Sequence, residues 1–270
     1  MNKIFNLKNK NIIIFGGSGH LGKEFVKTLI MSEAKVHNCD VNEIDNKELT
    51  DSSSYFFHKV DATKPSELEK LKNNIISVDP KIDVLVNCTT MKGDDNYLPF
   101  EEGSLDSWEI GLKGDLTIPF LTIKTFISLM KDFRQGSVIN IASVYGIVGN
   151  DQSIYEGSNL HEIYVNKSPN IKRVYANGVY NAAKGGLINF TKYLAAYYGE
   201  YNIRFNCISP GGIHNNFENE TFVSNYSNRT PLGRKAKINE MNGALIFLSS
   251  DASSYVTGHN LVVDGGYSIW

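Results

Sequence analysis

The chain has 270 residues, 41% apolar and 21% charged, which is an ordinary composition for a globular protein. Its 27 basic and 29 acidic residues leave a net charge of −2, so a surface for binding nucleic acid is not expected. No run of apolar residues is long enough to span a membrane, and the first residues do not resemble a secretory signal. The three dispersed cysteines and six dispersed histidines predict reduced thiols, a cytoplasmic location and no bound metal.

Predicted strands and helices alternate along the chain. A β-branched run at 11–15 is followed by a glycine-rich segment and then by apolar residues at helical spacing up to about 31. The other predicted strands are 35–40, 55–60, 82–87, 137–142, 202–208 and 260–264, and the other predicted helices are 66–78, about 106–132, about 177–198 and 239–249. The alternation predicts one Rossmann-type α/β domain: a doubly wound parallel sheet of about seven strands with helices on both faces.

Two segments do not follow this alternation. They are an insertion at about 149–175, rich in Asn, Ser and Tyr, and a loop at about 210–235. Open parallel sheets bind ligands beyond the carboxyl ends of their strands, and long loops there are often functional. We therefore expect both segments to border a substrate site.

The segment after the first strand has glycines at 16, 19 and 22 and leads directly into a helix. Glycine allows a tight turn and a close backbone approach, while the start of the helix offers unpaired N–H groups to a pyrophosphate. In this strand–turn–helix context the spacing predicts a dinucleotide-binding turn. The residues expected to contact the dinucleotide are Gly16, Ser18, Gly19, His20, Leu21 and Gly22.

Two acidic residues at strand ends bear on the choice of cofactor. Asp40 closes the second predicted strand, 18 residues after Gly22. A carboxylate there can accept hydrogen bonds from the adenosine ribose and would repel a 2′-phosphate, which favours NAD(H) over NADP(H). The alternative is that Asp40 only caps the next turn. Asp61, after the third strand, is expected near the adenine.

Tyr180 and Lys184 are four residues apart in a predicted helix, which places both on one face. A nearby ammonium stabilises a phenolate, so this tyrosine is a candidate acid or base for a carbonyl or alcohol substrate. Ser143 follows the fifth strand, and its hydroxyl is expected to bind the same substrate oxygen. Tyr55 and Lys59 have the same spacing, but they lie in a predicted strand and are not expected to act together.

Taken together, these patterns resemble the short-chain dehydrogenase/reductase family over essentially the whole chain. The segments that carry the resemblance are 16–22, Asp61, 139–143, Tyr180 with Lys184, 208–212, 231–234 and 255–266. The resemblance implies a Rossmann fold, a nicotinamide cofactor, hydride transfer and a homo-oligomer, either a dimer or a tetramer.

The resemblance also implies roles for individual residues. Tyr180 would be the acid/base, Ser143 would orient the substrate, and Lys184 would bind the nicotinamide ribose. Asp115 takes the position at which the family has a catalytic Asn. Further cofactor contacts are expected from Asn87, Pro210, Gly211 and Ile213.

The chain also departs from the family pattern, and the departures leave its substrate open. Ser143 and Tyr180 are 37 residues apart, an unusually long interval. Within the family the chain is similar to flagellin-modification and surface-glycan oxidoreductases, which implies a polar, sugar-derived small molecule as substrate. The residues predicted to contact this substrate are Tyr145, Tyr155, His214 and Asn215.

Two alternative functions remain at this point. The glycine spacing of 16–22 is that of the family's extended branch, which favours a sugar-nucleotide epimerase or dehydratase that retains its NAD. Asp115 and Cys88, which replace usual family residues, keep open a non-catalytic dinucleotide-binding module.

Overall fold

The computed structural model describes residues 3–164 and 173–270. Its strands are β1 (Asn11–Phe15), β2 (Lys35–Asp40), β3 (Tyr55–Lys59), β4 (Val84–Asn87), β5 (Gly136–Ile141), β6 (Ile203–Pro210) and β7 (Asn260–Val263). They form one parallel sheet in the order β3-β2-β1-β4-β5-β6-β7. The helices are α1 (His20–Met31), α2 (Lys47–Thr50), α3 (Pro65–Ile76), α4 (Leu105–Leu112), α5 (Ile118–Phe133), α6 (Leu160–Tyr164), α7 (Gly178–Tyr198), α8 (Glu220–Asn228) and α9 (Asn242–Ser249).

Helices cover both faces of the sheet, and strand β1 shows why. Its side chains alternate between the two faces, and all of those from Ile12 to Phe15 are buried. Ile12 and Ile14 pack in a core with α1 and α9, whereas Ile13 and Phe15 pack in a second core with α3, α5 and α7. The structure thus confirms the predicted Rossmann-type fold.

The long helix predicted at about 106–132 is interrupted in the structure. Helices α4 and α5 are joined by a π-helical segment, Lys113–Thr117. Pro119 has no N–H to donate, and its ring would clash with the carbonyl four residues earlier in a regular α-helix. The wider turn relieves this conflict, and Thr89 Oγ1 donates a hydrogen bond to the carbonyl of Gly114 at 2.8 Å.

The two long segments contain helices that the periodicity did not predict. The insertion at about 149–175 contains α6, and its residues 165–172 lie outside the described part of the chain. The loop at about 210–235 contains α8, whose start is capped by the side chain of Asn219, which accepts a hydrogen bond from the N–H of Phe222. In the described residues, no helix is both long and apolar enough to cross a membrane.

Candidate active site

The carboxyl ends of the strands form a crevice where the order of the chain in the sheet reverses. Strand β1 pairs with β2 on one side and with β4 on the other. The connections from β1 and β4 therefore leave in opposite directions and open a space between them. The glycine-rich turn and residues 88–91 border this space.

The turn between β1 and α1 can be built only with glycine at certain positions. Gly16 has a φ of +78°, and a Cβ there would lie 2.6 Å from the carbonyl oxygen of Cys88. A Cβ on Gly22 would lie 2.1 Å from the carbonyl oxygen of Gly16. The first N–H groups of α1 have no partner within the helix, so the turn has the donor set that a pyrophosphate requires.

A buried asparagine that the sequence analysis missed supports this turn. Asn38 on β2 is fully buried, and its amide donates hydrogen bonds to Ser18 Oγ and to the hydroxyl of Tyr55, both at 3.0 Å. A Cβ on Gly17 would lie 2.3 Å from Asn38 Oδ1, so the turn packs directly on this side chain. Asn38 thus connects the turn with β2 and β3.

A cavity of about 350 Å³ lies beside the turn. Of the predicted cofactor residues, those lining it are Gly16, Ser18, Gly19, Asp40 and Asp61. Asp40 Oδ2 accepts a hydrogen bond from the N–H of Ser18 at 3.0 Å, which places the carboxylate at the turn. The described residues that line the cavity include Asp40 and Asp61 but no lysine or arginine. The charged side chains of the cavity lining are thus both acidic within the described chain.

Other predicted cofactor residues lie elsewhere. His20, Leu21 and Gly22 form the first turn of α1. Pro210 ends β6, Gly211 lines a separate cavity of about 90 Å³, and Ile213 forms a bridge with Ala236.

Asn87 is buried in the core rather than turned toward the cofactor cavity. The side-chain Nδ2 of Asn87 donates a hydrogen bond to Asn140 Oδ1 at 2.9 Å. Its side-chain Oδ1 accepts a hydrogen bond from Thr122 Oγ1 at 2.7 Å. Both ends of the side chain are therefore engaged, and it links β4 to β5 and α5. Any cofactor contact from Asn87 would come from its backbone.

The predicted catalytic residues converge where β5 ends against α7. The turn Val144–Gly146 follows Ser143, whose Oγ accepts a hydrogen bond from the N–H of Tyr145 at 3.2 Å. This turn packs closely on α7: a Cβ on Gly146 would lie 2.7 Å from the carbonyl carbon of Lys184. The contact holds the turn that follows Ser143 against α7 at Lys184, and Tyr145 of this turn lines the same cavity as Tyr180.

Lys184 is buried and held by two oxygen atoms. Its Nζ donates to the carbonyl of Ile141 at 2.8 Å and forms an ion pair with Asp115 Oδ1 at 2.9 Å. Burial lowers the pKa of Lys184, but the Asp115 carboxylate, together with Tyr180 and Cys88, raises that pKa above its ordinary value. The ammonium lies 5.6 Å from the centre of the Tyr180 ring.

A second cavity, of about 260 Å³, contains the Tyr180 side chain. Asp115, Tyr145 and Tyr155 also line it, whereas His214 and Asn215 are not among its lining residues. Thr90 and Met91 line both this cavity and the cofactor cavity, so the two spaces share a wall.

The sequence analysis missed several residues of this second cavity. They are Thr90, Met91, Lys92, Asn96, Tyr97, Gly111, Asn150, Ala176, Asn177 and Val179. The first five follow β4, so the rule that ligands bind beyond the carboxyl ends of parallel strands would have found them.

An aromatic cluster holds the loop at about 210–235 next to this cavity. Tyr155 stacks on Phe222 of α8 with ring centres 5.5 Å apart, and the hydroxyl of Tyr226 accepts a hydrogen bond from the N–H of Gly212 at 2.6 Å. Lys235 is buried beneath these rings and forms an ion pair with Glu218. Burial lowers the pKa of Lys235, and Glu218 partly offsets that effect. The loop therefore folds against the residues that line the second cavity.

Comparison with known proteins decides the family. The model of the family described as "short chain dehydrogenase" matches residues 10–158, more than half of the chain. The chain belongs to the short-chain dehydrogenase/reductase family. A second model, "Enoyl-(Acyl carrier protein) reductase", matches residues 164–268 of this short-chain dehydrogenase/reductase. The protein is therefore an oxidoreductase that uses a nicotinamide cofactor.

Individual relatives agree with this assignment. The chain is 29% identical to the 3-oxoacyl-[acyl-carrier-protein] reductase FabG of Chlamydia pneumoniae, covering 96% of this chain and 97% of that protein. A short chain dehydrogenase of Leptospira borgpetersenii, solved with bound NAD⁺, is 31% identical, with a TM-score of 0.86 over 99% of this chain and 96% of that one. A gluconate 5-dehydrogenase of Burkholderia cenocepacia, solved with NADP and tartrate, shares the fold at 22% identity, with a TM-score of 0.82 over 99% and 98% of the two chains.

Proposed function

We propose that this protein is an NAD(H)-linked alcohol dehydrogenase or ketone reductase for a small, polar, sugar-derived substrate, with Tyr180 as the acid/base. The observation that carries the proposal is the shared wall of the two cavities. Tyr180 lines one cavity, the dinucleotide turn lines the other, and Thr90 and Met91 line both. A substrate carbon beside Tyr180 would thus be next to a nicotinamide, which when bound exchanges a hydride with that carbon.

The side chains of this protein would move and hold the proton. In reduction, the Tyr180 hydroxyl gives its proton to the carbonyl oxygen; in oxidation, the phenolate takes one from the alcohol. Lys184 is fixed by Ile141 and Asp115, and its positive charge stabilises the phenolate. The Ser143 oxygen accepts from the N–H of Tyr145, which leaves its own proton for the substrate oxygen.

The lining of the cofactor cavity supports NAD(H). Asp40 and Asp61 are its charged residues within the described chain, and a 2′-phosphate would place a dianion next to them. Calorimetric titration should show tighter binding of NAD(H) than of NADP(H), and Asp40→Ser should reduce this difference. Tighter binding of NADP(H) by the unmodified protein would contradict the assignment.

The cavity beside Tyr180 supports a small, hydroxylated substrate. Its lining contains several amide and phenol groups, from Asn96, Asn150, Asn177, Tyr97 and Tyr155. Its volume of about 260 Å³ is near the lower limit of ligand pockets, roughly 300 Å³. This favours a sugar or sugar acid over a nucleotide sugar, and the similarity to surface-glycan and flagellin-modification enzymes stays a prediction.

The test of the catalytic assignment is Tyr180→Phe, measured with a panel of sugars, sugar acids and nucleotide sugars. Loss of the acid/base should reduce kcat by roughly 10²–10⁴-fold while the affinity for NAD(H) is retained. Full turnover by the Tyr180→Phe variant would disprove the assignment of Tyr180 as the acid/base. The measured activity would then come from other residues or, if the protein is a non-catalytic binding module, from a contaminating enzyme. A substrate converted with no net change in nicotinamide absorbance would instead identify the retained-NAD epimerase or dehydratase that the glycine spacing favours.

Three further properties belong to the same proposal. The chain would form one domain, in which the insertion at about 149–175 and the loop at about 210–235 determine substrate choice. The free cysteines Cys39, Cys88 and Cys207 are consistent with a cytoplasmic enzyme. Exposed aromatic side chains on α5 and α7 support a homo-oligomer, either a dimer or a tetramer.

A further inference from the structure

Lys92 is one of the residues that line the cavity also lined by Tyr180. It follows β4 and lines the cavity together with Asn96 and Tyr97. Its Nζ donates a hydrogen bond of 2.6 Å to the hydroxyl of Tyr97. Tyr97 is itself held in place, because its ring packs on that of Tyr164 at 4.3 Å and its carbonyl accepts a hydrogen bond from the N–H of Tyr175. Lys92 is an exposed side chain, and its ammonium is thus oriented by a hydrogen bond to a phenol that is itself packed.

The charge of Lys92 has no acidic partner in the part of the chain that the structure describes. Within residues 3–164 and 173–270, no carboxylate forms an ion pair with it. Asp115 is the one acidic residue among the described residues that line the cavity, and it is paired with Lys184. The nearby carboxylate of Asp95 instead accepts a hydrogen bond from the N–H of Ser104. Among the described residues, the lining of the cavity thus includes one positive charge without a carboxylate partner.

We infer that Lys92, with the hydroxyl of Tyr97, forms an oxyanion subsite that binds a carboxylate or phosphate group of the substrate. The inference rests on the proposed function, because it assigns one end of the same substrate cavity. An ammonium can donate two further hydrogen bonds beyond the one to Tyr97, which suits an oxyanion. The amides of Asn96, Asn150 and Asn177 line the same cavity and suit the hydroxyl groups of the rest of the substrate. The chemistry assigned is that of a sugar acid or a sugar phosphate.

The subsite can be tested by binding, without knowing the natural substrate. The protein is first titrated with NAD⁺, and the saturated complex is then titrated with D-gluconate, D-glucitol and D-glucitol 6-phosphate. Gluconate differs from glucitol by a carboxylate in place of a hydroxymethyl group. The difference between their affinities therefore measures the effect of the negative charge on binding. We expect at least one anion to bind roughly tenfold more tightly than glucitol, the effect of one charge-assisted hydrogen bond. Whichever anion binds more tightly identifies the group as a carboxylate or a phosphate.

Variants then assign the preference to Lys92. Lys92→Met should remove the advantage of the anion over glucitol, and Lys92→Arg should retain part of it. Tyr97→Phe should weaken anion binding less than Lys92→Met does. Lys70→Met removes an exposed lysine of α3 and changes the net charge by the same amount as Lys92→Met. It should leave the preference for the anion over glucitol unchanged.

The outcomes separate this inference from the proposed function. Failure of the unmodified protein to bind NAD⁺ would contradict the proposed oxidoreductase site. Normal NAD⁺ binding with equal affinity for the three ligands, or with binding of neither anion, would overturn the subsite alone. An anion preference that persists unchanged in Lys92→Met would overturn it as well.

Discussion

At the scale of single residues, the site contains a buried ion pair. Asp115 is 1% exposed, and its carboxylate is paired with the buried ammonium of Lys184. Thr90 Oγ1 lies 3.3 Å from the other oxygen of Asp115. The aspartate therefore neutralises the buried ammonium of Lys184.

Removing this carboxylate should destabilise the protein, because it would leave an uncompensated buried charge. We expect Asp115→Leu to lower the free energy of unfolding by about 3–5 kcal/mol in urea titrations. Asp115→Asn keeps the shape of the side chain and can still accept a hydrogen bond, so it should lower the free energy of unfolding by less. In the double variant Asp115→Leu/Lys184→Met, neither charge remains. Its decrease in the free energy of unfolding should therefore be smaller than the sum of the decreases in the two single variants. Simple additivity would show that the two side chains do not stabilise each other.

A second residue-scale prediction concerns His37, which is 2% exposed on β2. Its Nδ1 lies 3.0 Å from His58 Nε2, and its Nε2 lies 3.3 Å from Asp79, which also pairs with Lys35. Burial and then His58 lower the pKa of His37 to about 4, although Asp79 opposes the shift. The unfolded chain therefore takes up a proton near its ordinary pKa of 6.5, whereas the folded chain does so only near 4.

It follows that stability should fall as the pH drops from about 6.5 toward 4, by at most about 3 kcal/mol from this residue. Unfolding in urea at about pH 7.5 and about pH 5 measures the difference. His37→Gln should make the pH dependence shallower, while His259→Gln, at an exposed position, should not. An unchanged pH dependence in His37→Gln would contradict the role given to its burial.

At the scale of the elements, the site depends on how closely the turn Val144–Gly146 approaches α7. The periodicity predicted both β5 and α7, because each has a regular apolar pattern. It did not predict that the backbone at Gly146 meets that of Lys184, since this contact joins residues distant in the sequence. Similarly, the apolar pattern predicted one continuous helix over about 106–132. The structure instead has a π-helical segment at Lys113–Thr117, in the turn that precedes Pro119.

Gly146→Ala should push this turn away from α7 and move Ser143 relative to Tyr180. The added Cβ would lie 2.7 Å from a backbone carbon that cannot move without shifting the helix. We expect roughly a 10²-fold loss of kcat/KM, because misplacement of about an ångström has effects of that size. Gly149→Ala is the matched control, since its Cβ would meet nothing within 4 Å. Equal activity of the two variants would show that the close approach is not required.

At the scale of the whole molecule, aromatic side chains form a strip across the outer surface of α5 and α7. Phe120 lies 6.3 Å from Phe190, which lies 6.3 Å from Tyr193, which in turn lies 5.9 Å from Tyr197. Phe120, Tyr193 and Tyr197 are 44–60% exposed. Soluble monomers seldom expose contiguous apolar patches of large size, so we expect a second copy of the chain to cover this strip.

Sedimentation over a range of concentrations tests this expectation. The unmodified protein should sediment as a dimer or tetramer, and Tyr193→Glu/Tyr197→Glu should shift it toward the monomer because charged groups would be buried at the interface. Met31→Glu, which changes an exposed apolar residue on α1, should leave the assembly unchanged. A monomer at every concentration of the unmodified protein would contradict the expectation.

What the sequence by itself determined are features encoded over short distances along the chain. The alternation of strands and helices, the glycine turn at 16–22 and the spacing of Tyr180 and Lys184 follow from local periodicity and backbone geometry. The tertiary structure alone decided the pairing of Lys184 with Asp115, the support of the turn by Asn38, and the presence of Lys92 in the lining of the Tyr180 cavity. These contacts join residues that are distant in sequence, and only the order of the strands in the sheet brings them together.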